Sequence, residues 1–176
     1  ATQRLDASAL QGGAFEAMVY HVLDGYLNLS PTDWIGAFHE ARDIREKEAH
    51  DTEAKEKALR VAASQPSLEL SKYAGDYQDD WYGPIAIAVE NGRLVMKFTN
   101  TPSMIGDLEH WQHDAFVAHW RDKTIPDAYV WFALGPDGSV QNIRMKAVST
   151  LADFSFDYQD LLITPAEKPE QAEHKR

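Results

Sequence analysis

Ile85-Ala86-Ile87-Ala88-Val89-Glu90-Asn91-Gly92-Arg93-Leu94-Val95-Met96-Lys97-Phe98 is the stretch whose reading decides the fold. Apolar residues recur at every second position on both sides of Asn91-Gly92. That dipeptide is preferred in a two-residue type I′ turn, because both central residues must take positive φ. The turn sets the register: Val89 opposite Leu94, Ile87 opposite Met96 and Ile85 opposite Phe98 on one face. Ala86 and Ala88 occupy the other face and are small enough for close packing.

Outward from this hairpin the period of two continues, with turn signals at short intervals. Gly135-Pro136-Asp137-Gly138 separates Ala128–Leu134 from Ser139–Val148, a second hairpin. With Gly75–Trp81, Ser103–Gln112, Ala115–Trp120 and Phe154–Ile163, the count reaches about eight strands. No long helical pattern interrupts them. The pattern predicts a mainly β protein, an eight-stranded antiparallel barrel preceded by two helices, since closing the sheet removes exposed edges.

The N-terminal part has a different character. Only five aromatic residues (Phe15, Tyr20, Tyr26, Trp34, Phe38) precede Lys72, and fourteen follow it. Phe15, Met18, Val19, Val22, Leu23, Tyr26 and Leu27 fall at i, i+3, i+4 spacings, which predicts an amphipathic helix ending near Asn28. Ser30-Pro31-Thr32-Asp33 supplies an N-cap, a proline at the first helical position and an acid near the positive end of the helix dipole. Beyond Phe38 the residues are almost all Ala, Glu, Lys, Arg and Asp as far as Arg60. They predict a solvated helix stabilised by i,i+4 charge pairs, acting as a linker and ending at Gln65-Pro66-Ser67. The expected organisation is a terminal helix of an upstream domain at 1–29, a charged linker helix at 30–66, a barrel at 67–165 and a frayed tail at 166–176.

The chain has 176 residues, enough for a real core, and a formal charge of -11. That charge repels phosphate backbones and anionic surfaces, so neither nucleic acid nor a membrane is an expected partner. With no cysteine, disulfide and thiol chemistry are excluded. No apolar run approaches the roughly 20 residues needed to span a bilayer. The first residue is not Met, which suggests a processed product or part of a longer protein.

Chemistry-bearing residues concentrate in Leu108–Trp120, which holds His110, His113, His119, Trp111, Trp120 and Phe116. If His113-Asp114 forms the turn, His110 and His119 lie diagonally on one face, roughly 7 to 8 Å apart, and are the candidate metal pair. No third ligand follows from spacing, and the histidines serve equally well as hydrogen-bonding residues on a polar hairpin face, so no cofactor is expected. The same register puts Trp111 and Phe116 on one buried face with His110 on the other. Trp111, Phe116, Trp120, Phe98 and Tyr82 are core aromatics or, alternatively, the lining of a ligand pocket. No serine has a lysine three residues later, so the Ser-x-x-Lys nucleophile of penicillin-recognising enzymes is missing. Tyr26-Leu27-Asn28 matches the accompanying Tyr-x-Asn only as an isolated triplet. No catalytic residue is therefore assigned.

Several motifs occur in a recognisable order: Leu70 with Tyr73-Ala74-Gly75-Asp76-Tyr77, Tyr82-Gly83-Pro84-Ile85, Asn91-Gly92-Arg93-Leu94, Leu108-Glu109-His110-Trp111, Asp114-Ala115-Phe116 and Asp137-Gly138-Ser139-Val140. On these the chain resembles the C-terminal accessory domain, of unassigned function, that follows the catalytic domain in serine beta-lactamase-like and penicillin-binding-protein-like hydrolases. Phe15, Ala17, Leu23-Asp24, Tyr26-Leu27 and Asp33-Trp34 are similar to the last helix of that catalytic domain. The resemblance implies a lipocalin-like barrel, Gly75-Asp76-Tyr77 standing where lipocalin first strands have Gly-x-Trp. It also implies a periplasmic or extracellular setting. The expected function is a non-catalytic module that modulates substrate access or assembly, with the parent's catalytic domain as partner and self-association through the N-terminal helix as a further expectation. The alternative is a module binding a small apolar ligand inside the barrel.

Overall fold

The computed structural model describes residues 13–152 and 156–166. The chain divides into two compact units, Ala1–Thr52 and Glu53–Arg176.

In the first unit, α1 spans Phe15–Leu27 and stops where expected, at Asn28 in the left-handed conformation with φ of 51°. Helix α2 spans Trp34–Ala58. Its cap is Asp33 rather than Ser30: the Asp33 Oδ1 accepts from the Gly36 N–H at 2.9 Å, one of the donors that the first turn leaves unpaired. The helix also ends at Ala58, short of Gln65-Pro66. Tyr20 stacks on Trp34 at 4.7 Å and lies 5.9 Å from Phe38. The Trp34 indole N–H donates to Asp24 at 2.7 Å. Most of the apolar stripe of α1 stays open, with Phe15, Met18, Val22, Tyr26 and Leu27 all exposed. Farther along α2, Arg42 and Glu46 form an i,i+4 pair at 3.5 Å.

The second unit is the sheet. Its strands are β1 (Gly75–Asp79), β2 (Gly83–Glu90), β3 (Arg93–Phe98), β4 (Ile105–Gln112), β5 (Ala115–Trp120), β6 (Ala128–Leu134), β7 (Val140–Ala147) and β8 (Thr164–Pro165). Their order is β7-β6-β5-β4-β3-β2-β1-β8, and every pairing is antiparallel. The β2–β3 register is the one that Asn91-Gly92 dictates, with Ile85 facing Phe98, Ile87 facing Met96 and Val89 facing Leu94. Asn91 and Gly92 take φ of 50° and 77°, as a type I′ turn requires. The two ends of the sheet meet where Ile143 of β7 and Ile163 exchange backbone hydrogen bonds of 2.7 and 3.1 Å. The result is an eight-stranded, nearly closed antiparallel barrel.

The last strand differs from the expected Phe154–Ile163. Residues 153–155 lie outside the described part. Tyr158–Asp160 forms a 3₁₀ turn, Ile163 bridges to Ile143, and the strand itself is limited to Thr164–Pro165, paired with Gln78 and Tyr77 of β1. Tyr158 packs inward from that turn, buried, and its hydroxyl donates to the Pro126 carbonyl. The turn thus packs Tyr158 into the core before the chain joins the sheet at β8.

Side chains fill the interior. At one end Phe98, Trp120, Tyr158 and Tyr82 pack in series, Phe98 against Trp120 at 5.9 Å and Tyr158 stacked on Trp120 at 6.3 Å. At the other, Tyr73, Phe116 and Phe132 meet edge to face. Ile85, Leu94, Met96, Ile143 and Met145 lie between. Each such buried side chain contributes about 1.5–3 kcal/mol. Gly106 is needed here because a Cβ would sit 2.9 Å from the Trp120 ring.

Candidate functional site

The hairpin β4–β5 is built differently from its expected form. His110 pairs with Phe116, Gln112 pairs with Ala115, and Trp111 is left over as a bulge. One inserted residue reverses every facing beyond it. His110 therefore shares a face with buried Phe116, their rings 5.5 Å apart, while Trp111 lies on the outside against Tyr129 at 5.3 Å. The expected burial of Trp111 with Phe116, opposite His110, is corrected accordingly. So is the diagonal His110–His119 pair: His119 pairs with Asp107, on the face opposite to His110. His119 Nδ1 is 2.6 Å from the Asp127 carboxylate, and His110 Nε2 is 2.9 Å from the His113 carbonyl. Among the described residues there is no group of three or more His, Asp or Glu placed to hold a metal ion.

What the bulge holds is the chain entering the barrel. Arg60 lies over the Trp111 ring, 4.4 Å from its centre, and donates to the carbonyls of Trp111 at 2.7 Å and His110 at 3.0 Å. The Val61 N–H donates to the Gln112 side chain. The His113 N–H donates to the Ser64 hydroxyl. Asp114 accepts from the Ser67 N–H and hydroxyl, each at 2.8 Å, and from the Tyr73 hydroxyl. Burial pushes the Asp114 carboxyl up, but the hydrogen bonds from Tyr73 and Ser67 outweigh it and hold the group below the usual aspartate range. Burial and the Asp114 carboxylate together push Tyr73 up to about 12. The most recognisable residues of the sequence thus form a clasp.

The five aromatic candidates do not line one site. Phe98, Phe116 and Trp120 are buried in the core, and Trp111 lines an outer cleft of about 320 Å³ with Leu59, Tyr129 and Trp131. Phe116 borders, together with His110 and His119, a cleft of about 460 Å³, and Tyr82 borders another of about 360 Å³ beside the β1–β2 turn. Asp79 builds this turn. Its Oδ1 accepts from the N–H groups of Trp81 and Tyr82 at 2.9 and 3.0 Å, and its Oδ2 from Leu162 at 3.0 Å. Gly83 completes the turn at φ of 74°. The Tyr82 hydroxyl donates to the Phe156 carbonyl at 3.0 Å. Burial, followed by the Asp157 and Asp79 carboxylates, raises the Tyr82 phenol. Trp81 is 88% exposed at the mouth. Asp80, Asp157, Asp160, Leu161, Leu162 and Thr164 complete the lining. Sequence reading missed Trp81 and these acids. The available signal was Asp79-Asp80-Trp81-Tyr82, two acids followed by two aromatics at a turn.

With this geometry in view, the comparisons place the chain. A family described as a domain of unknown function, DUF3471, matches residues 59–165. The chain belongs to that family. The match begins beside Arg60, where the clasp begins. Among solved structures, one similar to this chain is described as the crystal structure of the C-terminal domain of penicillin binding protein Rv0907. It is 20% identical, with 59% of this chain and 92% of that one covered and a TM-score of 0.43. No curated protein matches.

Proposed function

We propose that this chain is a non-catalytic accessory module of a larger serine beta-lactamase-like hydrolase, in which the barrel shapes substrate access or assembly. The observation that carries the reading is how the family-matching residues are spent. His110, Trp111 and Asp114 are engaged in holding the 60–73 segment onto the barrel, so the residues that mark the family act as structure and leave chemistry to another domain. No serine of the chain stands three residues before a lysine, which agrees with a nucleophile located elsewhere. The open apolar face of α1 suits a helix that packs against a catalytic domain.

The test compares the full-length hydrolase with a version truncated after Arg60. The proposal expects altered kinetics toward large substrates, an altered substrate range or an altered oligomeric state. Identical behaviour in all three respects would overturn it.

A further inference from the structure

The cleft beside the β1–β2 turn has features that the accessory role does not use. Its walls are largely apolar, from Trp81, Tyr82 and Leu162, and its rim carries Asp80, Asp157 and Asp160. Among the described residues, no basic side chain forms an ion pair with any of these three carboxylates. Other acids of the second unit do have basic partners: Glu90 pairs with Lys97, Asp107 with Arg121 at 3.0 Å and Glu56 with Lys146 at 2.8 Å. The cleft is thus a local concentration of unmatched negative charge on a chain whose formal charge is already -11.

The walls are held before any partner arrives. Asp79 ties Trp81, Tyr82 and Leu162 together, and the Tyr82 hydroxyl ties the turn to Phe156. The backbone of the cleft is thus set before binding, which lowers the entropy lost when a partner docks. An indole that is 88% exposed is a large apolar group with little intramolecular cover, and its face attracts cations. Among biological cations, guanidinium suits this combination. It is planar and stacks on indole, it is weakly hydrated, and its fork of donors meets carboxylates two at a time.

We propose that this cleft docks an arginine-bearing peptide segment of a partner protein, with the guanidinium stacked on Trp81 and paired with Asp80 and Asp160. The site lies apart from the clasp and does not depend on the accessory reading. Charge complementarity selects the partner, and the apolar walls accommodate the stem of the arginine side chain.

The test is calorimetric titration of the full chain with the peptide Ac-Gly-Arg-Gly-Arg-Gly-NH2 and with the same peptide carrying citrulline in place of arginine. Saturable binding of the arginine peptide is expected, weakened at least tenfold by the citrulline exchange, by Trp81→Ala and by the double variant Asp80→Asn/Asp160→Asn. Trp81 and the two acids are exposed, so both proteins should keep the wild-type melting curve. Glu109→Gln, a charge change at the opposite end of the barrel, should leave binding unchanged. Absence of saturable binding, equal binding of the citrulline peptide, or affinity that survives both cleft variants would overturn the proposal. So would an equal loss in Glu109→Gln, which would indicate general attraction to an acidic protein. Free N-acetyl-arginine amide binding as tightly as the peptide would replace peptide docking with a small-cation site.

Discussion

Asp114 is the residue on which the clasp turns. It accepts three hydrogen bonds, from the N–H and the hydroxyl of Ser67 and from the Tyr73 hydroxyl. Its carboxyl is held below the ordinary aspartate value. A depressed carboxylate contributes stability that is fully present above the unfolded-state pKa of about 3.9 and is lost as pH falls through the folded value. Asp114→Asn should therefore destabilise the barrel by about 1–3 kcal/mol near neutral pH, and the melting curves of the two proteins should converge at acid pH. Melting temperatures measured from pH 7 down to acid conditions check both statements. Gly106 yields a second prediction at this scale. A methyl group there meets the Trp120 ring at 2.9 Å, and the fully buried Trp120 is confined by Tyr158 stacked on it and Phe98 packed against it edge to face. Gly106→Ala should cost about 1–3 kcal/mol, the usual penalty of overpacking, readable by denaturant unfolding.

At the scale of elements, the bulge at Trp111 is the decisive local feature. It exposes two carbonyls of the hairpin end, and Arg60 satisfies both with its planar fork while covering the indole. Arg60→Ala should lose about 2–3 kcal/mol, combining charge-assisted hydrogen bonds with the stacked cation. Arg60→Lys should recover only part of it, because an ammonium group cannot reproduce the fork. Urea titrations of both variants would separate the contributions. Helix α1 presents the opposite situation, an apolar face with little to cover it. We expect concentration-dependent self-association of the isolated chain, reduced by Met18→Glu/Val22→Glu; light scattering that shows a strict monomer across concentrations would count against this.

At the scale of the whole molecule, the barrel and its entry segment are one folding unit. Backbone and side-chain hydrogen bonds link residues 60–67 to the β4–β5 hairpin, and the family match also starts at residue 59. A protein comprising residues 59–176 should fold cooperatively by itself. One beginning at residue 70, lacking the Arg60 and Ser67 contacts, should melt more than about 10 °C lower or lose cooperativity. Differential scanning calorimetry of the two fragments checks this.

Much of the architecture was legible locally. Asn91-Gly92 determined the β2–β3 register, because a two-residue turn with positive φ leaves one pairing that keeps Ile85, Ile87, Met96 and Phe98 on the core side. The α1 stripe and its stop at Asn28 were legible for the same reason: short-range spacing and backbone preference are properties of neighbouring residues. The start of α2 was misread because Ser30 and Asp33 are both good caps, and only the actual path of the chain chose Asp33. The hairpin from Leu108 to Trp120 was misread more seriously. A bulge conserves composition and period on either side while reversing the faces, and the residue that caps it, Arg60, lies about fifty residues away. The acidic cleft depended on distance in the same way: Asp80 and Trp81 come from the β1–β2 turn, and Asp157 and Asp160 from the return segment that closes the barrel. The sequence by itself determined the first seven strands, α1 and the turn between β2 and β3, because local preferences and periodicity specify them; the last strand and the ends of α2 it did not. Only the tertiary structure decided which side chains share a face at the bulge and which acids share a cleft, because both follow from packing distant segments together.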